Sequence, residues 1–440
     1  MNAIASTAAL PLILADRAAL LAAAERAVLV TERRTTYPIL ANVRLQSDGR
    51  TLFMSATDLD TVLDIAVPAD APAGFDMTLP AFMLRDLLKG APKASDAVTI
   101  SAPPVIVKQV PTGEYELGED GQRVTYADGS YIPVMRDAFD FDGPAVVDFG
   151  KVTYKLNGLP SQNWPQLIGP RQEWRNEAGL LLRSKAYRSF TMSGADLFAA
   201  LDSVRFAMSS EETRYYLRGV YMHVAESGAG SELRFVATDG HRMARQDMDV
   251  PEGAAGMPGS ILPTHLVNLL LKLLKPAKGK VSPAVLVEVD DSKVRFMFDD
   301  VTVTGKTVEG SFPDYERVTP KQNDKFATFN VAALLEAVKA VSMIASERGG
   351  KAVKLAMEAG RCTVSVSNPD NGSAESSFEI GQAFTGSLEI GFNAKYLAEI
   401  VTEAGAGGNA VTLAFSDGGS PTVIRGARER WLSVLMPMRV

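Results

Sequence analysis

Three stretches decide how this 440-residue chain folds: DRAALLAAAERAV beginning at Asp16, GADLFAALDSVRF at Gly194 and VAALLEAVKAVSM at Val331. Placed in register, Leu20, Leu197 and Leu334 align, followed by Ala24, Leu201 and Val338, then by Ala27, Val204 and Val341. Apolar residues spaced four and then three apart fall on one face of an amphipathic helix. The same helix is therefore written three times.

Working outward, each helix is followed by segments of alternating polarity that predict strands, among them NVRLQ, GVYMHV and CTVSVS. A polar turn comes next: SATDLD at Ser55, VATDGHR at Val236 and VSNPDNG at Val366. Each unit then has a second apolar helical pattern, LPAFMLRDLLK from Leu79, LPTHLVNLLLKLL from Leu262 and FNAKYLAEIV from Phe392. The repeat is an α+β unit, much longer than a solenoid repeat. The expected limits are 1–186, 187–320 and 321–440. The first unit has an insertion at about 101–150, rich in Gly, Asp, Pro and Tyr, which predicts a surface hairpin and loops.

Composition narrows the function classes. With 46% hydrophobic and 22% charged residues the chain has the balance of a globular protein with a sizeable core. The apolar stretch near the N-terminus has no Lys or Arg before it and is interrupted by Pro11 and Asp16, unlike a secretory signal. No run approaches the ~18 apolar residues of a membrane span. The single cysteine, Cys362, excludes an intramolecular disulfide framework and fits a reducing cytoplasm. A net charge of −7 argues against a surface that is basic all over, but allows a basic face on an otherwise acidic molecule.

Short motifs that suggest enzymes fail on context. Gly305, Lys306 and Thr307 spell GKT, but a phosphate-binding loop needs Gly six positions before the Lys, where Asp300 stands. Gly405, Gly407 and Ala410 fit a dinucleotide pattern but follow a helix rather than a strand, which predicts a helix cap and loop. The three histidines, His223, His241 and His265, have no His or Cys at metal-ligand spacing. Asp58, Asp60 and Asp239 are acids placed at turns, where a carboxylate more often accepts from the local backbone than performs catalysis. No catalytic residue, metal or cofactor is expected.

Ordered motifs carry a family resemblance across nearly the whole chain outside the insertion. YPILANVRLQ from Tyr37, ETRYYLRGVYMH from Glu212, FVATDGHRMA from Phe235, SFPDYERVTP from Ser311, IGFNAKYL from Ile390 and the terminal VLMPMRV from Val434 resemble the bacterial DNA polymerase sliding clamps, the β subunit of DNA polymerase III. The resemblance implies three α+β clamp domains per chain and a homodimer closed head to tail. In that ring twelve helices line the hole and sheets form the outside. It also implies a non-enzymatic processivity factor that encircles duplex DNA without reading its sequence. The partners would be the DNA polymerase III alpha subunit, the clamp loader and other proteins carrying a short clamp-binding motif. The competing classes are a DNA-modifying enzyme such as a nuclease, which needs converging carboxylates or histidines, and an assembly protein that stacks domains without DNA.

Carried over residue by residue, the resemblance assigns three sites. A partner-peptide cleft would comprise Leu217, Thr238, Gly240, His241, Arg242, Met243, Pro313, Arg317, Val318, Asn393, Tyr396, Val434, Leu435, Met436, Pro437, Met438 and Arg439, with Met243, Met436 and Met438 as a deformable wall. DNA-facing residues would be Arg34, Arg205, Arg214, Lys272, Lys275 and Lys278, with Glu211 where the family is usually polar and uncharged. The dimer interface would join Tyr154 and Leu156 on an edge strand to Ile344 and Ala345 of the partner. Read without the resemblance, VLMPMRV is an apolar chain end that must pack or bind, and docking as a last strand with Val434 and Met436 inward is the simpler expectation.

Overall fold

The structure, a computed structural model, describes residues 12–92, 95–115, 133–171, 173–175, 181–183, 186–227, 230–344, 352–369, 371–381 and 385–439. Six α-helices occur among them: α1 (Arg17–Ala27), α2 (Ala81–Gly90), α3 (Gly194–Val204), α4 (Thr264–Leu273), α5 (Val331–Val341) and α6 (Ala394–Ala404). They pack in sequential pairs, α1 on α2, α3 on α4 and α5 on α6. All nine positions aligned in the sequence are 2% exposed or less. The first helix of each pair starts at a polar cap: Asp16 accepts from the amide of Ala19 at 2.7 Å, Ser193 from Ala195 at 3.2 Å and Asn330 from Ala333 at 3.0 Å. A side-chain acceptor at this position satisfies an amide that the first helical turn leaves without a partner.

Each repeat also builds the same antiparallel meander. The strands are Asn42–Ser47, Leu52–Thr57 and Thr61–Val67 in the first, Gly219–Ser227, Gly230–Thr238 and Arg242–Asp249 in the second, and Ala352–Glu358, Arg361–Asn368 and Gly372–Glu379 in the third. A fourth strand then returns beside the first strand of its meander and leads into the second helix. Its last residue pairs in equivalent register each time: Pro80 with Asn42, Pro263 with Gly219, and Asn393 with Ala352. CTVSVS is the second strand of its meander, whereas NVRLQ and GVYMHV are first strands.

The chain divides into two compact units, one running up to Gly169 and including Phe296–Gly305, the other formed by Pro170–Arg295 and Lys306–Val440. The strand Val301–Lys306, part of the first unit as far as Gly305, lies antiparallel to Thr61–Val67, with Val301 opposite Ile65. The same unit has a five-stranded sheet in which Leu12–Asp16, Ala97–Ser101, Ala145–Asp148 and Thr153–Leu156 are neighbours in that order. Thr153–Leu156 is its edge.

The insertion needs one correction. Its middle forms the expected hairpin, Val105–Tyr115 against Pro133–Phe141. Its end is not loop, because Ala145–Asp148 is an inner strand whose Ala145 and Val147 are fully buried. The alternation in AVVD is too short to stand out in sequence; burial on one face of a sheet is what makes it a strand.

In the second unit, eight strands form one sheet in the order Ser260–Pro263, Gly219–Ser227, Gly230–Thr238, Arg242–Asp249, Trp431–Leu435, Thr422–Arg425, Ala410–Phe415 and Lys325–Asn330. The last strand of the chain is thus the seam between the second and third repeats. All five of its residues are buried, since both of its faces are covered. Trp431 and Leu435 join the core that holds Leu334 and Leu397, while Leu432 and Val434 pack with Val236, Met243, Val423 and Tyr315. Trp431 Nε1 also donates to the carbonyl of Ser203 at the end of α3, at 3.0 Å.

Candidate partner-peptide site

The cleft is organised by one turn and one chain end. In the turn between Gly230–Thr238 and Arg242–Asp249, Asp239 Oδ1 accepts from the amides of His241 at 2.9 Å and Arg242 at 3.0 Å. The Thr238 hydroxyl donates to the Arg242 carbonyl at 2.7 Å and accepts from the Gly240 amide at 3.1 Å. Gly240 has φ +88°, a left-handed conformation that a residue with a Cβ adopts only at a cost. The first repeat makes the same turn, with Asp58 accepting from Asp60 and Thr61, Thr57 donating to the Thr61 carbonyl, and Leu59 at φ +80°. Asp58 and Asp239 are therefore engaged in shaping the backbone, as their position before a strand implied.

Arg242 is 7% exposed and ties the turn to α6 of the third repeat and to Phe206 of its own. Its guanidinium pairs with Asp239 at 3.1 Å and with Glu399 on α6, and donates to the carbonyl of Phe206 at 2.6 Å. It lies 4.3 Å from the centroid of the Tyr396 ring and 5.2 Å from that of Phe206. Tyr396 also stacks with His241, ring centroids 6.2 Å apart. Asn393 caps α6, accepting from the amides of Lys395 and Tyr396. Five of the residues chosen from sequence, Thr238, Gly240, His241, Arg242 and Tyr396, thus form one stacked and hydrogen-bonded corner.

Beyond the seam strand, the Met436 amide donates to the His241 carbonyl at 2.9 Å and the Met438 amide to the Gly391 carbonyl at 2.8 Å. The end of the chain is therefore stitched to the turn of the second repeat and to a strand of the third. Met436 is 36% exposed. It faces a hollow of about 760 Å³ together with Arg317 and Val318, and Val318 is 44% exposed. Asn323, Ser416, Ser420 and Pro421 also line this hollow. Asn323 is five residues beyond Val318, whereas Ser416, Ser420 and Pro421 are about a hundred residues away and reach the hollow only through the tertiary structure, which is why no local pattern marks them.

Several of the chosen residues play a different part from the one expected. Met243 and Val434 are each 2% exposed and pack with Tyr315, so they are floor rather than wall, while Leu435, 0% exposed, faces the core of the third repeat. Period-two alternation exposes one side of a strand only when that face meets water, and here both faces are covered. Met436 does not point inward as a core strand residue would; the strand ends at Leu435. Leu217 is 4% exposed at the end of the 3-10 turn Glu212–Leu217. Pro313 lines a separate hollow with Tyr221 and His223, and Arg439 lines a third beside Lys354 and Glu389. Pro437 and Met438 are half-buried.

The basic residues are scattered over both units. Arg34 is exposed after α1. Arg205 caps the C-terminus of α3 and pairs with Asp202 at 2.7 Å. Lys272 lies in the last turn of α4, and Lys275 and Lys278 are exposed just beyond it. Arg214 pairs with Glu211 at 3.1 Å, and its guanidinium sits against Gly240, where a Cβ would come within 2.9 Å of Nη1. Of the interface residues, Tyr154 and Leu156 lie on the edge strand described above. Ile344 follows α5 and accepts from Asn368 Nδ2 at 3.0 Å. Ala345 lies outside the described residues.

Among the described residues no cluster of His, Cys, Asp or Glu is arranged to hold a metal ion. Cys362 is fully buried, and burial pushes its thiol up to about 12, far from a nucleophile's range. No described helix is long and apolar enough to cross a membrane.

Comparison with known proteins places this geometry. Residues 13–118 match the DNA polymerase III beta subunit, N-terminal domain; 191–314 match its central domain and 316–439 its C-terminal domain. The beta sliding clamp of Caulobacter vibrioides is 34% identical over 430 residues, covering 97% of this chain and 99% of that protein. The beta sliding clamp of Pseudomonas putida is 30% identical over 433 residues, covering 97% and 99%. A crystal structure of a sliding clamp from Bartonella birtlesii bound to griselimycin superposes with a TM-score of 0.78 at 33% identity, covering 98% of this chain and all of that one. The C. crescentus beta sliding clamp, solved with PEG bound to its putative beta-motif tethering region, gives 0.79 at 32% identity with the same coverage. With its three repeats matched in order by the three domain models, this chain belongs to the family of DNA polymerase III beta subunits, the sliding clamps.

Proposed function

We propose that two copies of this chain close head to tail around duplex DNA and that the corner at His241, Tyr396, Val318 and Met436 captures short linear motifs of replication and repair proteins. The observation that carries the peptide site is the chain end. Met436 leaves the buried seam held by a backbone hydrogen bond to His241 and, exposed, lines the same hollow as Val318. An exposed methionine and valine flanking a formed hollow give a deformable apolar surface able to serve several ligands in turn. The protein is a non-catalytic processivity subunit. A closed ring leaves DNA only by opening, so weak counterion-screened attraction to phosphate suffices and permits sliding.

Arg34, Arg205, Arg214, Lys272, Lys275 and Lys278 are our candidates for that attraction, with domain limits near 186 and 320. Arg34 and Arg214 stand where the resemblance puts DNA-facing basic residues; Arg205 and Arg214 are each paired with a carboxylate three residues away, Asp202 and Glu211, which lowers the charge they offer to phosphate. For ring closure we propose that the edge strand bearing Tyr154 and Leu156 meets the partner's third domain near Ile344 and Ala345. Among the described residues, Gly372–Glu379 is an edge strand of that domain's sheet. We place the protein in the cytoplasm with the DNA it encircles. Retention on nicked circular DNA tests the ring: loss on linearisation is expected, and equal loss from both forms overturns the topological mechanism.

A further inference from the structure

The segment 311–319 carries one wall of the hollow and has little regular structure of its own beyond the 3-10 turn Tyr315–Arg317. Pro313, Asp314, Arg317 and Val318 are exposed, whereas Tyr315 is 6% exposed. The Tyr315 ring packs with Val236, Met243, Val423, Leu432 and Val434 on the seam. Its hydroxyl is 2.9 Å from Nε2 of His223 and accepts from Arg234 Nη1 at 3.3 Å. The next residue, Glu316, pairs with the same Arg234 and with Arg245 at 3.1 Å. Those two arginines are in turn held by Glu232 at 3.0 Å and Asp247 at 2.8 Å. Tyr315 thus anchors the loop together with Glu316 and with Phe312, whose ring stacks on Tyr221 at 4.8 Å between centroids, and Val318 lies three residues beyond Tyr315.

We propose that Tyr315 is a positioning residue for partner-peptide binding, pegging the loop to Arg234 and His223 so that the gap between Val318 and Met436 is fixed before a ligand arrives. This rests on reading the hollow as the peptide site. Hydrogen bonds to a buried charged donor are strong and directional, so loss of the hydroxyl frees the loop more than its size implies. An apolar wall displaced by even a fraction of an ångström loses a large part of its dispersion contacts.

The test uses the full-length dimer and a fluorescein-labelled synthetic peptide carrying a glutamine and a leucine–phenylalanine pair. Tyr315→Phe keeps the ring and removes only the hydroxyl. It should weaken peptide binding about tenfold and shift the Met436 methyl resonance in the ligand-free protein, with DNA retention unchanged. Cys362→Ser places a hydroxyl in the core of the third repeat, away from the loop. It should lower the melting temperature while leaving Kd and the Met436 resonance alone, which separates positioning from simple stability. An unchanged Kd and resonance in Tyr315→Phe, or equal weakening by Cys362→Ser, overturns the proposal. Should Tyr315→Phe not fold, Glu316→Gln, which breaks the ion pairs beneath the loop, is read in the same way. If the wild-type protein binds no peptide, the site itself is misassigned and the positioning role falls with it. If the wild type binds and the variants match it, only the positioning role falls.

Discussion

The backbone amide of Met436 donates to the carbonyl of His241 at 2.9 Å, so the exposed chain end is tied to the second repeat one residue after the seam strand closes. Deleting Met436–Val440 therefore leaves Trp431–Leu435 in place. The shortened protein should keep its circular-dichroism spectrum and its hold on circular DNA. Peptide affinity should fall by about thirtyfold or more, roughly 2 kcal/mol, as expected for removal of a central apolar anchor. Unfolding of the truncated protein would make the tail a folding element; normal peptide binding would put the site elsewhere.

Arg242 stands between the Tyr396 and Phe206 rings with Asp239 and Glu399 on its guanidinium. Arg242→Ala leaves a largely buried carboxylate without its cation and should cost about 2–3 kcal/mol in urea unfolding. Arg242→Lys should recover little of it, because a point charge cannot stack and fork at once. Full recovery with Lys would mean that charge alone matters here.

His223 is held at a depressed value, about 4 against an ordinary 6.5, first by burial and further by the charge of Arg234. The unfolded chain thus binds a proton more readily than the folded one between those values. The contribution of His223 is complete above pH 6.5 and is lost as pH falls towards 4, on the order of 2–3 kcal/mol in all. His223→Gln should flatten that part of the stability profile. A wild-type profile in the variant would place the titration in other groups.

Tyr154 lies on the edge strand Thr153–Leu156, half-buried against Phe149 with ring centroids 5.9 Å apart. Native mass measurement at micromolar concentration should give a dimer. Tyr154→Asp, which puts a charge on the proposed contact, should shift it towards monomer and shorten residence on circular DNA. A monomeric wild type would count heavily against the ring.

Much of this was legible in the sequence because it is local. The triplicate helices could be read from spacing alone, since a helical face repeats every three to four residues, and Leu20, Leu197 and Leu334 are all fully buried. The turns at Asp58 and Asp239 were equally readable, as a short acid before a strand accepts from amides two and three residues on.

What the sequence left open is which apolar residues of the tail are floor and which are wall. The run VLMPM has nothing local to separate Val434, which is 2% exposed, from Met436, which is 36% exposed. Only the packed structure separates them: Trp431 and Leu435 face the core of the third repeat, Leu432 and Val434 face the cluster around Tyr315, and pairing with Arg242–Asp249 and Thr422–Arg425 ends at Leu435, which releases the chain at Met436. The same holds for Ala145–Asp148 in the insertion, and for Ser420 and Pro421, which line the hollow about a hundred residues from Val318 in sequence. The sequence by itself determined the repeat, its helices and its turns, because these rest on contacts between near neighbours. The tertiary structure alone decided the seam and the site beside it, because strand pairing between distant segments chooses which side chains lose their water.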